Sequence, residues 1–427
     1  MEEAKQLKRF CVKGDLVYSK DRHNLTYLKD GYLIIKDGFI KRVTSSLTAE
    51  ERALPLLDYS SNLIVPGLSD LHIHAPQYQF RGLWMDMELL DWLNSHTFPE
   101  EAKYKDLDYA KRSYSIFIND LLLSPTTRLS TFGTMHKEAT LLLMNLLDKA
   151  GFKGYVGKVN MDRNSPSYLI EDSDESIRET IAFIDEAKSD NIKPIITPRF
   201  IPTCTDKLLM DLASIAKERL LPVQSHLSEN LNEIKWVKEL SPLSLSYADA
   251  YKRVGLWGTT PTIMAHCVYS DTLDGDLMEN DNIYIAHCPD SNTNLISGVA
   301  NAQHFIGGDF NIGLGSDIAG GTSLSLFSAC TDAIKASKLR KRLFNAEDNA
   351  LTFAESFYMA SKGSGSFFGR VGSFEKDYEA DFIVLNEEGI ASTLMDEFTP
   401  NERLERYAYL SPLKAVKHKC IGGKLLF

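Results

Sequence analysis

The sequence predicts an α/β protein: a (β/α)8 barrel of the TIM type with a small β-sandwich domain formed by both chain termini. Three observations lead there. Eight short β-rich runs alternate with segments of helical apolar spacing through the middle of the chain. Histidines and carboxylates stand at the C-terminal ends of those runs, where barrels of this type keep their chemistry. Strand-like runs with turn signals flank this middle on both sides.

The 427-residue chain can bury a large core and hold more than one domain. Its 44% hydrophobic and 25% charged residues are ordinary for a soluble globular protein. A formal net charge of −11 argues against a nucleic-acid partner, which needs a basic face. The start, MEEAKQLKRF, has no apolar signal core, and the run LLLMNLL at 141–147 is too short to span a membrane. A cytoplasmic protein is expected. Cys11, Cys204, Cys267, Cys288, Cys330 and Cys420 lie far apart with no CxxC pair, so buried free thiols are expected. Cys267 follows His266, but strand alternation turns the thiol to the helices if the imidazole faces the barrel interior.

Residues 1–66 are expected to form the first part of the small domain. There GYLIIKDGFIKRV places a hairpin turn at Lys36-Asp37-Gly38. The barrel is expected over 67–368. Its candidate strands are GLSDLHI (67–73), TRLSTFG (127–133), GYVGKVN (154–160), KPIITPR (193–199), LPVQSH (221–226), TIMAHC (262–267), IYIAHC (283–288) and IGLGSD (312–317). Pieces such as KEATLLLMNLLDKA and DKLLMDLASIAKER supply the helices between them. The segment RGLWMDMELLDWLNSHTFPEE after strand 1 reads as a lid or as a packing helix. Residues 369–427 complete the small domain, with ADFIVLN as a strand and Gly422-Gly423 as a turn.

His72 and His74 project from one face of strand 1, with Ile73 between them facing the other way. His226 ends strand 5, His266 ends strand 6 and Asp317 ends strand 8. An HxH pair alone is a weak signal. Five such donors, at strand ends in this order, are a strong one for a metal site. Nitrogen donors with one oxygen suit zinc, and iron or manganese accept similar sets. Glu229, three residues beyond His226, lies near the metal without being a ligand, as a proton shuttle requires. Asp317 is expected both as a weak ligand and as acceptor of the proton from the attacking water. His287 ends strand 7, behind the metal or over the leaving group. Asp70 lies one step deeper than His72 and reads as a buried hydrogen-bond partner.

These residues resemble those of the amidohydrolase superfamily over nearly the whole chain. Binuclear members carry a carboxylated lysine at the end of strand 4. Here Arg199 occupies that end, Lys193 stands at the opposite end and Lys158 belongs to strand 3. The resemblance is therefore to the group with one zinc ion per chain, which deaminates purines, pyrimidines and related rings. HAPQYQF (74–80), TPRFIPTC (197–204), HLSEN, AHCPDSN and GLGSDIAGG (313–321) are similar to the members that act on guanine. That similarity implies hydrolysis of guanine to xanthine and ammonia, and a homodimer.

The substrate contacts it implies are His74, Gln77, Arg199, Phe200, His226, Glu229 and Asp317, with Trp84 as a further cover for the ring. Gln77 can donate and accept hydrogen bonds, Arg199 offers a fork of donors, and Phe200 can lie on a ring face. One alternative is a related aminohydrolase acting on cytosine, an adenosine derivative or a triazine. Another is a non-catalytic scaffold, opposed by the full ligand set. The HxE…PCxxC deaminase signature and the HExxH motif are both absent.

Overall fold

The computed structural model describes residues 7–270, 272–280, 282–395, 397–410 and 416–427. All seven residues of Leu68–His74 are buried. Burial on both faces is what a parallel barrel strand needs, since one face meets the barrel interior and the other the helices. The remaining barrel strands are Thr126–Phe132, Lys153–Gly157 with Val159–Asn160, Ile192–Pro194 with Thr197–Pro198, Val223–Leu227, Thr262–His266, Ile283–His287 and Asn311–Leu314.

Parallel ladders join consecutive strands. A bridge from Ile196 to Val223 links the two halves. The ring closes where Asp317 N–H donates to His72 O at 2.8 Å and His74 N–H to Ile318 O at 3.1 Å. Strand 4 is split because Pro194 and Pro198 have no N–H to give the ladder. Strand 8 ends at Leu314, short of Asp317, whose φ of 46° has left the extended region.

Outside the barrel, helices carry capping side chains at their starts. Asp106 accepts from the N–H groups of Asp108 and Tyr109, and Asp172 from those of Asp174 and Glu175. Asn230 with Glu233 and Thr352 with Glu355 form capping boxes. Leu208, Leu209 and Leu212 of the helix Asp206–Arg219 pack into one large apolar cluster. Leu143, Met144 and Leu147 of Lys137–Lys149 pack into another. Leu71, Ile195, Ile263, Ala265 and Ala286 meet Phe367 in a small separate cluster drawn from four barrel strands.

The terminal strands join in one continuous mixed sheet of seven strands. Four come from the N-terminal stretch, ending with Leu56–Pro66, and three from Phe382–Leu385 onward. The expected turn is present: Asp37 and Gly38 both have positive φ, and Lys36 pairs with Phe39. Its tip packs on the Gly422-Gly423 turn so closely that a Cβ on Gly38 would lie 2.8 Å from Gly422 O. Arg128 of strand 2 ties barrel to sheet, donating to Asp381 Oδ2 at 2.6 Å and to Glu379 Oε2 at 2.7 Å. Among the described residues no helix is long and apolar enough to cross a membrane. All six cysteines are free and buried.

Candidate active site

The C-terminal ends of strands 1, 5, 6 and 8 meet around one point. His72 Nε2 and His74 Nε2 lie 3.1 Å apart, and His226 Nε2 lies 3.4 Å from His74 Nε2. Asp317 Oδ1 lies 3.2 Å from His72 Nε2 and 3.3 Å from His74 Nε2. His266 Nε2 stands 3.7 Å from Asp317 Oδ2.

Donors held about 2.0–2.2 Å from one cation in tetrahedral array are roughly 3.3–3.6 Å apart. The observed spacings therefore fit a metal ion. A buried polar atom lacking a hydrogen bond points the same way: His266 Nε2 has none among the described residues. Its other nitrogen, Nδ1, donates to Asn292 Oδ1 at 2.9 Å. His226 Nδ1 likewise donates to Arg199 O at 2.7 Å. Each bond leaves the Nε2 lone pair directed at the cluster.

Local backbone brings these groups in. Ile263 and Ala265 belong to the small cluster of strand residues, while Met264 packs outside with the helices. Simple alternation would send His266 outward with Met264. Left-handed backbone at His266 (φ 74°) and Cys267 (φ 50°) breaks the alternation, turning the imidazole in and the thiol out. Such conformations cost on the order of 1–3 kcal/mol each and gather at functional sites.

Electrostatics keep two of the imidazoles neutral. Burial pushes the pKa of His72 down to about 4 and that of His226 well below its ordinary value. Burial works to raise Asp317, but His72 and the other histidines outweigh it and hold the carboxyl well below the usual range. Burial raises Glu229 to about 7. Glu229 Oε1 accepts from Ser297 Oγ at 2.9 Å, and Oε2 lies 3.3 Å from His266 Nε2.

A cavity of about 410 Å³ opens onto this cluster. His74, Gln77, Arg199, His226, Glu229, His266 and Asp317 line it beside Phe200. Trp84 does not line it: the ring is 42% exposed and stacks on His96 at 3.8 Å. The cover comes instead from Leu89, Trp92 and Leu93, further along the same segment.

His287 lies outside the lining, buried, with Nδ1 unbonded among the described residues. Burial holds its pKa at about 4. Asp70 accepts from the N–H groups of His72 at 3.2 Å and Ser316 at 3.0 Å. Lys158 is taken up by Glu171, at 2.8 Å to both oxygens. Cys288 Sγ lies within 4.8 Å of donor atoms of His266 and Asp317.

Three residues of the site were not singled out from the sequence. Glu101 binds Gln77 and Arg199, Ser297 binds Glu229, and Asn292 binds His266. Asn292 and Ser297 do fall in or just beyond the AHCPDSN run, which is the nearest thing to a clue.

A closed α/β barrel with a His/Asp donor cluster at the C-terminal ends of its strands defines a metal-dependent hydrolase. The amidohydrolase family pattern matches residues 63–426. Guanine deaminase of Dictyostelium discoideum is 37% identical over 382 residues, covering 87% of this chain and 84% of the relative. The Homo sapiens guanine deaminase is 36% identical over 376 residues, covering 84% and 82%. A crystal structure of guanine deaminase from C. acetobutylicum, with guanine bound in its active site, superposes with a TM-score of 0.95 at 43% identity. The match covers 98% of this chain and 100% of that one. The chain belongs to the amidohydrolase family, and within it to the guanine deaminases.

Proposed function

We propose that the protein hydrolyses guanine to xanthine and ammonia with one zinc ion, held by His72, His74, His226, His266 and Asp317. The observation that carries these roles is Glu229. Its carboxyl is buried beside the donor cluster yet opens to the same cavity as Gln77 and Arg199. A bound zinc ion supplies a water molecule acidified enough to attack at neutral pH.

Gln77 and Arg199 hold the polar edge of the base, and Phe200 lies beside the ring. Asp317 takes a proton from the attacking water. Glu229 delivers a proton to N3, which makes C2 electrophilic. A carboxyl with a pKa near 7 can give and regain a proton at neutral pH. The hydroxide formed from the water attacks C2; Asp317 then returns its proton to the amino nitrogen, the C2–N bond breaks to release ammonia, and the proton of the new C2 hydroxyl passes to Glu229, leaving xanthine. Trp92, Leu89 and Leu93 exclude bulk water from the reacting ring. His287, buried and not lining the cavity, is assigned a place behind the metal rather than over the leaving group.

The test is simultaneous measurement of xanthine and ammonia from guanine, with cytosine, an adenosine derivative and a triazine as competitors. Equimolar products from guanine, far above any other ring, support the reading. Preference for another ring overturns it. We also read the protein as a cytoplasmic homodimer, on the family resemblance. A solution mass near twice 48.0 kDa supports that assembly, and a mass of 48.0 kDa contradicts it.

A further inference from the structure

Glu101 is a buried acid, 2% exposed, on the short helix Phe98–Ala102, and it binds two residues that line the cavity. Its oxygens accept from Arg199 Nη1 at 2.6 Å and Nη2 at 3.1 Å. Oε1 also accepts from Gln77 Nε2 at 2.9 Å. The Gln77 carbonyl Oε1 is engaged elsewhere, accepting from the backbone N–H of Ala319 at 3.2 Å.

These partners leave no freedom in how the Gln77 amide is turned. A backbone N–H can only donate and a carboxylate can only accept. The carbonyl end therefore faces Ala319 and the amino end faces Glu101. What remains on the amino end of Gln77 for a ligand is one N–H, while the carbonyl end is turned to the Ala319 backbone. What remains of Arg199 is the N–H groups that Glu101 does not use. Both residues line the cavity, so the amino end of Gln77 and the free guanidinium N–H groups make this side of it rich in donors. Such a wall matches a purine edge made of acceptors, as a 6-oxo group beside N7 provides. A 6-amino group would meet it donor to donor.

We propose that Glu101 is a specificity-determining positioning residue: by fixing the amide of Gln77 and the guanidinium of Arg199, it selects 6-oxopurines over 6-aminopurines. The proposal rests on the assignment of Gln77 and Arg199 to the substrate made above. Removing the carboxylate loosens the pair, because an amide at position 101 has one acceptor oxygen in place of two and must turn a donor toward either Gln77 or Arg199.

The experiment compares the native protein with Glu101→Gln. It measures kcat and KM for guanine, bound metal, and the inhibition constants of hypoxanthine and adenine. Those two bases differ at the 6-position and lack the 2-amino leaving group. In the variant, the preference for hypoxanthine over adenine should fall by about tenfold or more, the scale of a hydrogen bond to a charged group. The guanine KM should rise by a similar factor, with the loss carried in KM rather than in kcat. A metal-loaded variant with native KM and native preference overturns the proposal.

If Glu101→Gln does not yield folded protein, Glu101→Asp takes its place. That carboxylate keeps the charge but sits one methylene short of spanning Gln77 and Arg199. A reduced preference again supports the proposal, and a native preference overturns it. A native protein that makes no xanthine from guanine would instead sink the proposed reaction.

Discussion

Ser297 Oγ donates to Glu229 Oε1 at 2.9 Å, and this contact leaves the other oxygen, Oε2, beside His266 Nε2 at 3.3 Å. Both side chains are almost fully buried, so no solvent molecule readily replaces the bond. Ser297→Ala should lower kcat by about tenfold, the effect of one hydrogen bond to a charged group. The KM for guanine and the bound metal should stay near native. Steady-state kinetics with metal analysis would show this, and an unchanged kcat would remove Ser297 from the account.

Glu229→Gln keeps the shape of the side chain but cannot shuttle a proton. Turnover should fall by about 10²–10⁴-fold, as for general acid–base groups elsewhere. Guanine binding should persist, measured by calorimetry on the inactive variant. Near-native turnover would refute the shuttle.

Asn292→Ala removes the partner of His266 Nδ1. Loss of a bond that orients a ligand histidine commonly costs about 10–100-fold in metal affinity. Competition with a chelator of known affinity should show that loss, while the thermal midpoint of the metal-loaded protein changes little. Native metal affinity would contradict the assigned role.

Away from the site, Arg128 bridges strand 2 to Asp381 and Glu379. Arg128→Met strands a buried carboxylate and should destabilise the fold by about 3–5 kcal/mol in urea unfolding. Burial works to raise Glu379, but Arg128 and Lys153 outweigh it, and its pKa lies below the ordinary value. Its contribution to stability is thus present above the unfolded pKa of about 4.3 and is lost as pH falls through the lower folded value. In the variant, acid unfolding should begin at higher pH. An acid transition that does not move would contradict this.

Much of the site was legible because strand ends are marked by residue type. His72 and His74 follow from period-2 alternation, and their donor atoms do converge. For His266 alternation alone points the wrong way, and only the left-handed backbone there turns the ring inward. No residue pattern announces that turn. The segment after strand 1 has helical apolar spacing and carries both Trp84 and Trp92, which does not say which of the two rings covers the site. Residues 81–88 instead form turns or bends, and the helix starts only at Leu89, so that Leu89, Trp92 and Leu93 rather than Trp84 reach the cavity.

Glu101 was not legible for a different reason. A glutamate in FPEEA looks like any solvated helix residue, and its role comes only from partners far away in sequence. The barrel itself was easier, since eight alternating units leave few other topologies. The strand limits moved by no more than two residues, except that strand 8 ends at Leu314, three residues short of Asp317; strand 4 kept its limits within one residue but is split after Pro194.

The most direct measurement is stepwise return of zinc to protein stripped of metal, with xanthine formation followed at each addition. We expect no turnover without metal and full turnover at one zinc ion per chain. Full activity in the stripped protein, or activity that keeps rising to two ions per chain, would contradict a single cation held by these five side chains.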